Sequence, residues 1–224
     1  MVKKIVVFAP HPDDETLGCG GTIARRLSEG YEVVVIYMTD GRHAFSKLFN
    51  INLEPTPEEL KEIRKEEARR AASILGSQEE NLCFLDFEDG RLEQEKAEAQ
   101  QYVIEILSKH LPVEVYFPSE KDINPDHRAT NKIVRNSINK LGLPTLKYRY
   151  SITQRYSRIG PHMDTLLNFF KHNLIHVDIS KFLPLKEAAI KEFKSQITII
   201  SSEQERPVLE NIKRFLRRNE TFFI

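Results

Sequence analysis

A histidine and three carboxylates crowd together at His11, Asp13, Asp14 and Glu15, directly after the apolar run Ile5, Val6, Val7 and Phe8. Acids this close repel one another, and the group is costly unless a cation or a proton-transfer reaction uses it. A second pair, Asp126 and His127, stands far along the chain. Histidines and carboxylates are metal-ligand types, and a carboxylate can also serve as a general base.

Elements must bring these residues together, and the apolar pattern predicts which. Residues 3–9, 31–39, 82–87 and 113–118 are β-branched or aromatic runs that suit buried strands. Helices are expected over 17–29, ended by Gly30, and from Thr56 and Pro57 to Gly76, with Leu60, Ile63, Glu67, Ala68, Ala71 and Leu75 on one face. Two more are expected over 93–110 and 127–141. Further on, 147–153 and 174–179 resemble strands, and 184–197 and 203–218 resemble helices. Strands alternating with helices predict an α/β fold: a Rossmann-like open, mostly parallel sheet flanked by helices, as one domain over residues 1–224. In such sheets ligands bind beyond the carboxyl ends of the strands. Every such end here is polar: PHPDDE at 10–15, TDGRH at 39–43, DFEDG at 86–90 and SEKDINPDH at 119–127. One crevice should therefore gather His11, Asp13 and Asp14 with Asp40, Asp126 and His127. Acids also favour such loops as turn formers and helix caps, which accounts for Asp40 and Asp89 but poorly for the other residues.

Composition narrows the function classes. With 33 basic and 33 acidic residues, no global field recruits nucleic acid or an anionic membrane. No apolar stretch approaches the ~20 residues that span a bilayer. Lys3 and Lys4 before an apolar run imitate a signal sequence only until the acids at 13–15, and the two cysteines, Cys19 and Cys83, make no disulfide framework. A cytoplasmic location is expected. Gly18, Gly20 and Gly21 do not form a dinucleotide fingerprint, and HPDD would repel a pyrophosphate, so these glycines point to a helix lying close on the sheet. The basic run from Lys213 to Arg218 reads as a solvated helix face.

The segments HPDDE (11–15), TDG (39–41), RKEEARRAASILG (64–76), LDFEDGRL (85–92), PDHRA (125–129), VDIS (177–180) and KEAAIKEFKSQ (186–196) together resemble the signature series of the LmbE-like, or PIG-L, deacetylases. The resemblance implies the LmbE-like fold and a zinc-dependent amide hydrolase that removes acetyl from an N-acetylglucosamine-type sugar or sugar conjugate. It places the metal ligands on His11, Asp14 and His127, two imidazoles and a carboxylate that suit Zn²⁺ and leave a coordination position open for water, and the general base on Asp13; Asn124 and Asp126 are expected to be catalytic as well. Lowering the pKa of a bound water from 15.7 to about 7 is worth on the order of 12 kcal/mol in hydroxide availability at neutral pH.

One position departs from the family. Many members carry a histidine at the start of the H-P-D-H segment, where this chain has Asn124, which can donate to a developing oxyanion but cannot act as an acid at neutral pH. General acid catalysis is typically worth ~10²- to 10⁴-fold, so its loss slows a metal-driven reaction without abolishing it. His43 and His162 could supply the missing proton, although exposed loop histidines are the commoner case. Arg64 either pairs with Glu67 along its helix or reaches the crevice mouth to bind the sugar or its aglycone. Asp40, His43, Arg64 and His162 are thus the residues expected to face substrate, and Glu15 is expected as a helix-start carboxylate. The expected partner is a small-molecule amino sugar, with Phe222 and Phe223 available to a homo-oligomer contact. Two rival readings are an amidase acting on another N-acyl or thiol conjugate and, given Asn124, a non-catalytic module that binds metal or sugar.

Overall fold

The computed structural model describes residues 2–152 and 174–224. Its centre is β1 (Lys4–Ala9), hydrogen-bonded in parallel to β2 (Glu32–Thr39) on one side and β4 (Glu114–Pro118) on the other. With β3 (Leu82–Phe87), β5 (Leu146–Tyr150), β6 (Leu174–Asp178) and β7 (Asn219–Phe223), the sheet runs in the order β3-β2-β1-β4-β5-β7-β6. Strands β1 to β5 are parallel through four pairings, and β7 is antiparallel to both β5 and β6. The order of winding reverses between β1 and β4, so the connections after them part and leave a crevice at their carboxyl ends. This is the expected α/β architecture.

Alternation along β1 shows why its sequence is apolar throughout. Ile5, Val7 and Ala9 pack against Cys19 and Ile23 of α1 (Asp14–Ser28) and Ala68, Ala71 and Leu75 of α3 (Pro57–Leu75). Val6 and Phe8 face the opposite layer, meeting Val103 and Leu107 of α4 (Lys96–His110) and Ala129 and Ile133 of α5 (Pro125–Leu141). A parallel strand covered on both faces has no polar side to show. Among the described residues no helix is long and apolar enough to cross a membrane.

Local chemistry sets the helix ends. Thr56 accepts the Glu59 N–H at 3.3 Å while the Glu59 carboxylate takes the Thr56 N–H at 2.9 Å, a reciprocal cap that starts α3, and Gly76 ends it at φ 94°. Helix α1 is less regular. It kinks at Cys19 (φ −145°), which frees the N–H groups of Gly21 and Thr22, and the Glu220 carboxylate of β7 accepts both, at 2.9 and 2.7 Å. Lys186 donates to the same carboxylate at 2.6 Å and to the Leu17 carbonyl at 2.9 Å. The close approach expected of the glycine-rich stretch is present: a Cβ on Gly21 would stand 2.4 Å from Ile179 Cδ1.

Three expectations need correction, and one helix lies where none was expected. The connection after β2 contains a helix, α2 (Ala44–Phe49), whose Phe45 is buried with Ile51 and Leu60. The single helix expected over 184–197 is two, α6 (Leu183–Ile190) and α7 (Lys194–Ile197), because Ser195 turns its N–H and hydroxyl to the buried Glu67 carboxylate at 2.8 and 2.6 Å. The helix expected over 203–218 is irregular apart from a 3₁₀ turn at Ile212–Phe215. Pro207 has no N–H for a helix interior there, and the apolar residues spaced for a helix, Val208, Ile212 and Phe215, are not buried, so no packing offsets that cost. The basic run is therefore no helix face, and the chain after it is strand β7, with Phe222 in the core.

Candidate active site

The turn after β1 shapes the first half of the site. The His11 N–H donates to the Asp14 carboxylate at 3.0 Å and the Asp14 N–H to the His11 carbonyl at 3.2 Å, which folds the two side chains toward each other at the start of α1. Asp13 then sits at φ 144°, a conformation that costs a side-chain-bearing residue about 1–3 kcal/mol and is stored chiefly at functional sites. The second half comes from α5, whose first turn carries Asp126 and His127 behind the Asn124 cap. Because β1 and β4 are neighbours, the two turns meet.

Three atoms converge there. The Asp14 Oδ2 lies 3.1 Å from His11 Nδ1 and 3.0 Å from His127 Nε2, and the two ring nitrogens are 3.3 Å apart. Ligands about 2.0–2.1 Å from a tetrahedral zinc stand roughly 3.3–3.4 Å from one another, so the spacing suits such an ion. The outer ring nitrogens reinforce this. His11 Nε2 is 3.3 Å from Asp126 and 3.4 Å from Asp89, and His127 Nδ1 is 3.1 Å from Asp122. Those acids favour ring protons on the outer nitrogens, by a hydrogen bond at His11 and by charge at His127, which leaves two imidazole lone pairs and a carboxylate facing one another in a buried spot. Only a cation, or added protons, relieves that arrangement.

The protonation tendencies say the same. Burial disfavours charge on both rings, yet the surrounding carboxylates outweigh it: Asp126, Asp14 and Asp89 hold His11 well above its ordinary range, and Asp14 and Asp122 raise His127 to about 9. Burial alone would raise Asp14, but His127 and His11 hold it far below the usual carboxylate range. A second group, His11 with Asp89 and Asp126, is also close enough to hold an ion. Its acids are already engaged, Asp89 by Lys47 at 2.6 Å and Asp126 by the Gly90 N–H at 2.7 Å, so these orient His11.

Asp13 points aside from the three ligands. Burial drives its carboxyl up to about 7, against the pull of Arg64, whose Nη2 is 3.2 Å from Oδ1. A base poised near neutrality suits proton transfer at working pH. Glu15 accepts the Asp13 N–H at 3.2 Å and the Thr16 hydroxyl at 2.7 Å, and burial raises its own carboxyl to about 8. It braces the strained turn from below.

The other expected residues divide. Arg64 neither pairs with Glu67 nor reaches the mouth of the crevice: it is 3% exposed and donates to the carbonyls of Gly41 at 3.0 Å and Pro12 at 2.8 Å, tying the loops after β1 and β2 to α3. Gly41 accommodates it at φ 66°, where a Cβ would lie 2.4 Å from Nη1. Asp40 is likewise turned inward, on Arg42 at 2.7 Å and the Asp89 N–H at 3.4 Å, as a loop former would be. His43 is held 3.1 Å from Glu88 at the rim. Asp126 stands behind His11 as a positioning group. Asn124 accepts the Asp126 N–H at 2.9 Å, so helix capping occupies its oxygen and leaves its amide nitrogen to donate. His162 lies outside the described residues. Sequence reasoning missed Asp89 and Asp122, although the habit of metal-bound histidines to hand their second nitrogen to a carboxylate called for one acid per ring.

The chain is similar to known deacetylases. Residues 6–138 match the PIG-L family model, described as GlcNAc-PI de-N-acetylase. The diacetylchitobiose deacetylase of Thermococcus kodakarensis is 30% identical over 201 residues, 87% of this chain and 70% of that protein. A probable N-acetyl-alpha-D-glucosaminyl L-malate deacetylase 2 of Bacillus anthracis is 25% identical over 228 residues, 99% of this chain and 95% of its own. Among solved structures, the N,N'-diacetylchitobiose deacetylase from Pyrococcus horikoshii with its inhibitor MPG aligns at a TM-score of 0.71 and 26% identity, covering 99% of this chain and 84% of that one.

Proposed function

The chain belongs to the PIG-L family, and from that membership we propose that it is a zinc-dependent N-deacetylase acting in the cytoplasm on a small N-acetylglucosamine-type sugar conjugate. The observation that carries the reading is the meeting of His11 Nδ1, Asp14 Oδ2 and His127 Nε2 within 3.0–3.3 Å, with no proton required on any of them once a cation is bound.

Zinc held by those three atoms supplies Lewis acidity and brings the pKa of water near neutrality. The protein residues supply the rest. Asp14, His11 and His127 are oriented from outside by Asp89, Asp122 and Asp126, so little reorganisation is left for the reaction itself. Asp13 accepts a proton as water adds to the acetamide carbonyl, and returns it to the sugar nitrogen as the C–N bond breaks, yielding acetate and a free amine. Arg64 occupies Asp13 Oδ1, which leaves the other oxygen for that transfer. Asn124 donates its amide N–H to the oxygen on which charge develops. Asp13 thus serves as both base and acid, which makes the absence of a histidine at position 124 tolerable.

The test joins metal analysis with acetate detection on a set of N-acetylglucosamine conjugates. The expected result is one zinc per chain, acetate release, and an Asp13→Asn variant that keeps the metal but not the turnover. A variant as fast as the parent, or a protein that takes up no transition metal, would overturn the reading. A zinc-loaded protein that hydrolyses no N-acyl substrate, with no gain in Asn124→His, would instead favour a binding module.

A further inference from the structure

The start of α2 grips both oxygens of Asp89. The His43 N–H donates to Oδ2 at 3.0 Å, and the Lys47 ammonium donates to Oδ1 at 2.6 Å. Phe45, buried against Ile51 and Leu60, fixes the helix that carries them. Gly90 makes room for the ammonium: at φ 87° it bears no side chain, and a Cβ there would stand 2.5 Å from Lys47 Nζ. The same glycine gives its N–H to Asp126 at 2.7 Å. One residue thus serves both acids behind His11.

With Nδ1 turned to a metal, His11 has a single ring proton left to give, on Nε2. Asp126 Oδ2 accepts it at 3.3 Å, while Asp89 Oδ1 lies 3.4 Å from the same nitrogen. Two carboxylates therefore press on one N–H. A carboxylate at the outer nitrogen makes an imidazole a more basic ligand, and a second one without a counter-charge would take this further. More basic ligands hold a cation more tightly and leave it a weaker Lewis acid. Lys47 occupies the very oxygen of Asp89 that faces His11. This is no ordinary surface ion pair, because the lysine side chain is 48% exposed but the carboxylate only 6%. Its charge is felt at the imidazole.

Resting on the deacetylase reading above, we propose that Lys47 is a positioning residue that acts on the metal through Asp89 and His11: it cancels one of the two carboxylates behind the imidazole and so keeps bound zinc strongly Lewis-acidic. The lysine weakens metal binding and quickens the reaction.

The experiment compares Lys47→Met, which keeps the length of the side chain and removes its charge, with Asp89→Asn and with the two combined. Zinc affinity is read by competition with a chromophoric chelator, and kcat and KM by acetate release from the N-acetylglucosamine conjugate that the parent cleaves fastest. Lys47→Met should bind zinc roughly tenfold more tightly and turn over roughly tenfold more slowly, with KM little changed. Damage to the fold would lower both, so the opposite signs are the signature. Asp89→Asn alone should bind zinc more weakly than the parent. In the combined variant, affinity should return to within about twofold of the parent's, because removing both charges leaves the balance as it was. Zinc affinity in Lys47→Met equal to or below the parent's, or a rise in KM as the main effect, overturns the assignment and leaves the deacetylase standing. Tighter zinc in Lys47→Met, with acetate released from no conjugate by the parent, supports the charge balance and overturns the deacetylase. A parent that takes up no transition metal overturns both.

Discussion

Two buried charged clusters lie on either side of α1, and they are built on opposite terms. At its start, His11, Asp14 and His127 bring lone pairs face to face, and Asp13 is held in a strained conformation beside them. Behind its kink, Lys186 and Glu220, with side chains 1% and 4% exposed, match donor to acceptor so that every charge has partners. Burial of charge is costly in both places. A cluster that closes its own electrostatic account is architecture; one that leaves it open is waiting for a ligand. The first should thus govern activity with little effect on folding, and the second should do the reverse.

Mutations can break that contrast. The largest effect is expected from Asp13→Asn: kcat falls ~10²- to 10⁴-fold while zinc content stays that of the parent, measured by acetate release and elemental analysis. A comparable free energy should appear on the other side as stability alone. Glu220→Ala strands the Lys186 ammonium and should cost about 3–5 kcal/mol in denaturant unfolding, with the metal still bound by whatever fraction remains folded. If Glu220→Ala instead left stability intact and abolished activity, the division between the clusters would be wrong.

Smaller changes sharpen it. Asp122→Asn weakens the hold on His127 and should reduce zinc affinity or activity roughly 10- to 100-fold with little change in melting temperature. The pH dependence follows from His127, raised to about 9 by Asp14 and Asp122 against the opposing effect of burial. Its protonated form adds stability that is complete below about pH 6.5 and is lost as pH climbs through about 9. Glu15, raised to about 8, acts with the same sign. Zinc must displace the His127 proton, so its affinity rises over that window. Calorimetric scans should show the metal-free protein losing melting temperature from pH 6.5 to 9 while the increment given by zinc grows. The smallest effect belongs to neither cluster: Thr56→Ala removes the α3 cap and should cost about 1 kcal/mol, near 2–4 °C, leaving kcat unchanged.

The same contrast governs what could be seen in the sequence. His11, Asp13 and Asp14 sit in one turn, and Asp126 and His127 in another, each directly after a strand whose apolar run is unmistakable. Strand order then does the rest, because the rim of an open α/β sheet is where such turns meet. The strands β1 to β5 and helices α1, α3, α4 and α5 were legible for that reason, within a few residues at their starts. Glu220 was not. Its partners are Lys186 on α6 and the freed N–H groups of α1, and no local pattern announces a carboxylate that caps a helix almost two hundred residues away. Arg64 misled in a similar way, since a cation on a helix reads as surface until Gly41 and Pro12 are known to offer it carbonyls. The break at 191–193 depends on Glu67 reaching Ser195, again a contact between distant parts of the chain.

The place of β7 between β5 and β6 bears on how the molecule is made. Among the described residues, strand β6 pairs in the sheet with β7 alone and leaves the ribosome before it, whereas β1 to β5 can pair as they emerge. A nascent chain stopped at residue 218 would expose the edge of β5, leave β6 unmoored and bury an ammonium without its carboxylate. Edges of that kind invite pairing with other chains. The five strands that carry the chemistry can thus assemble early, and the edge of β5 is covered only when β7 joins it.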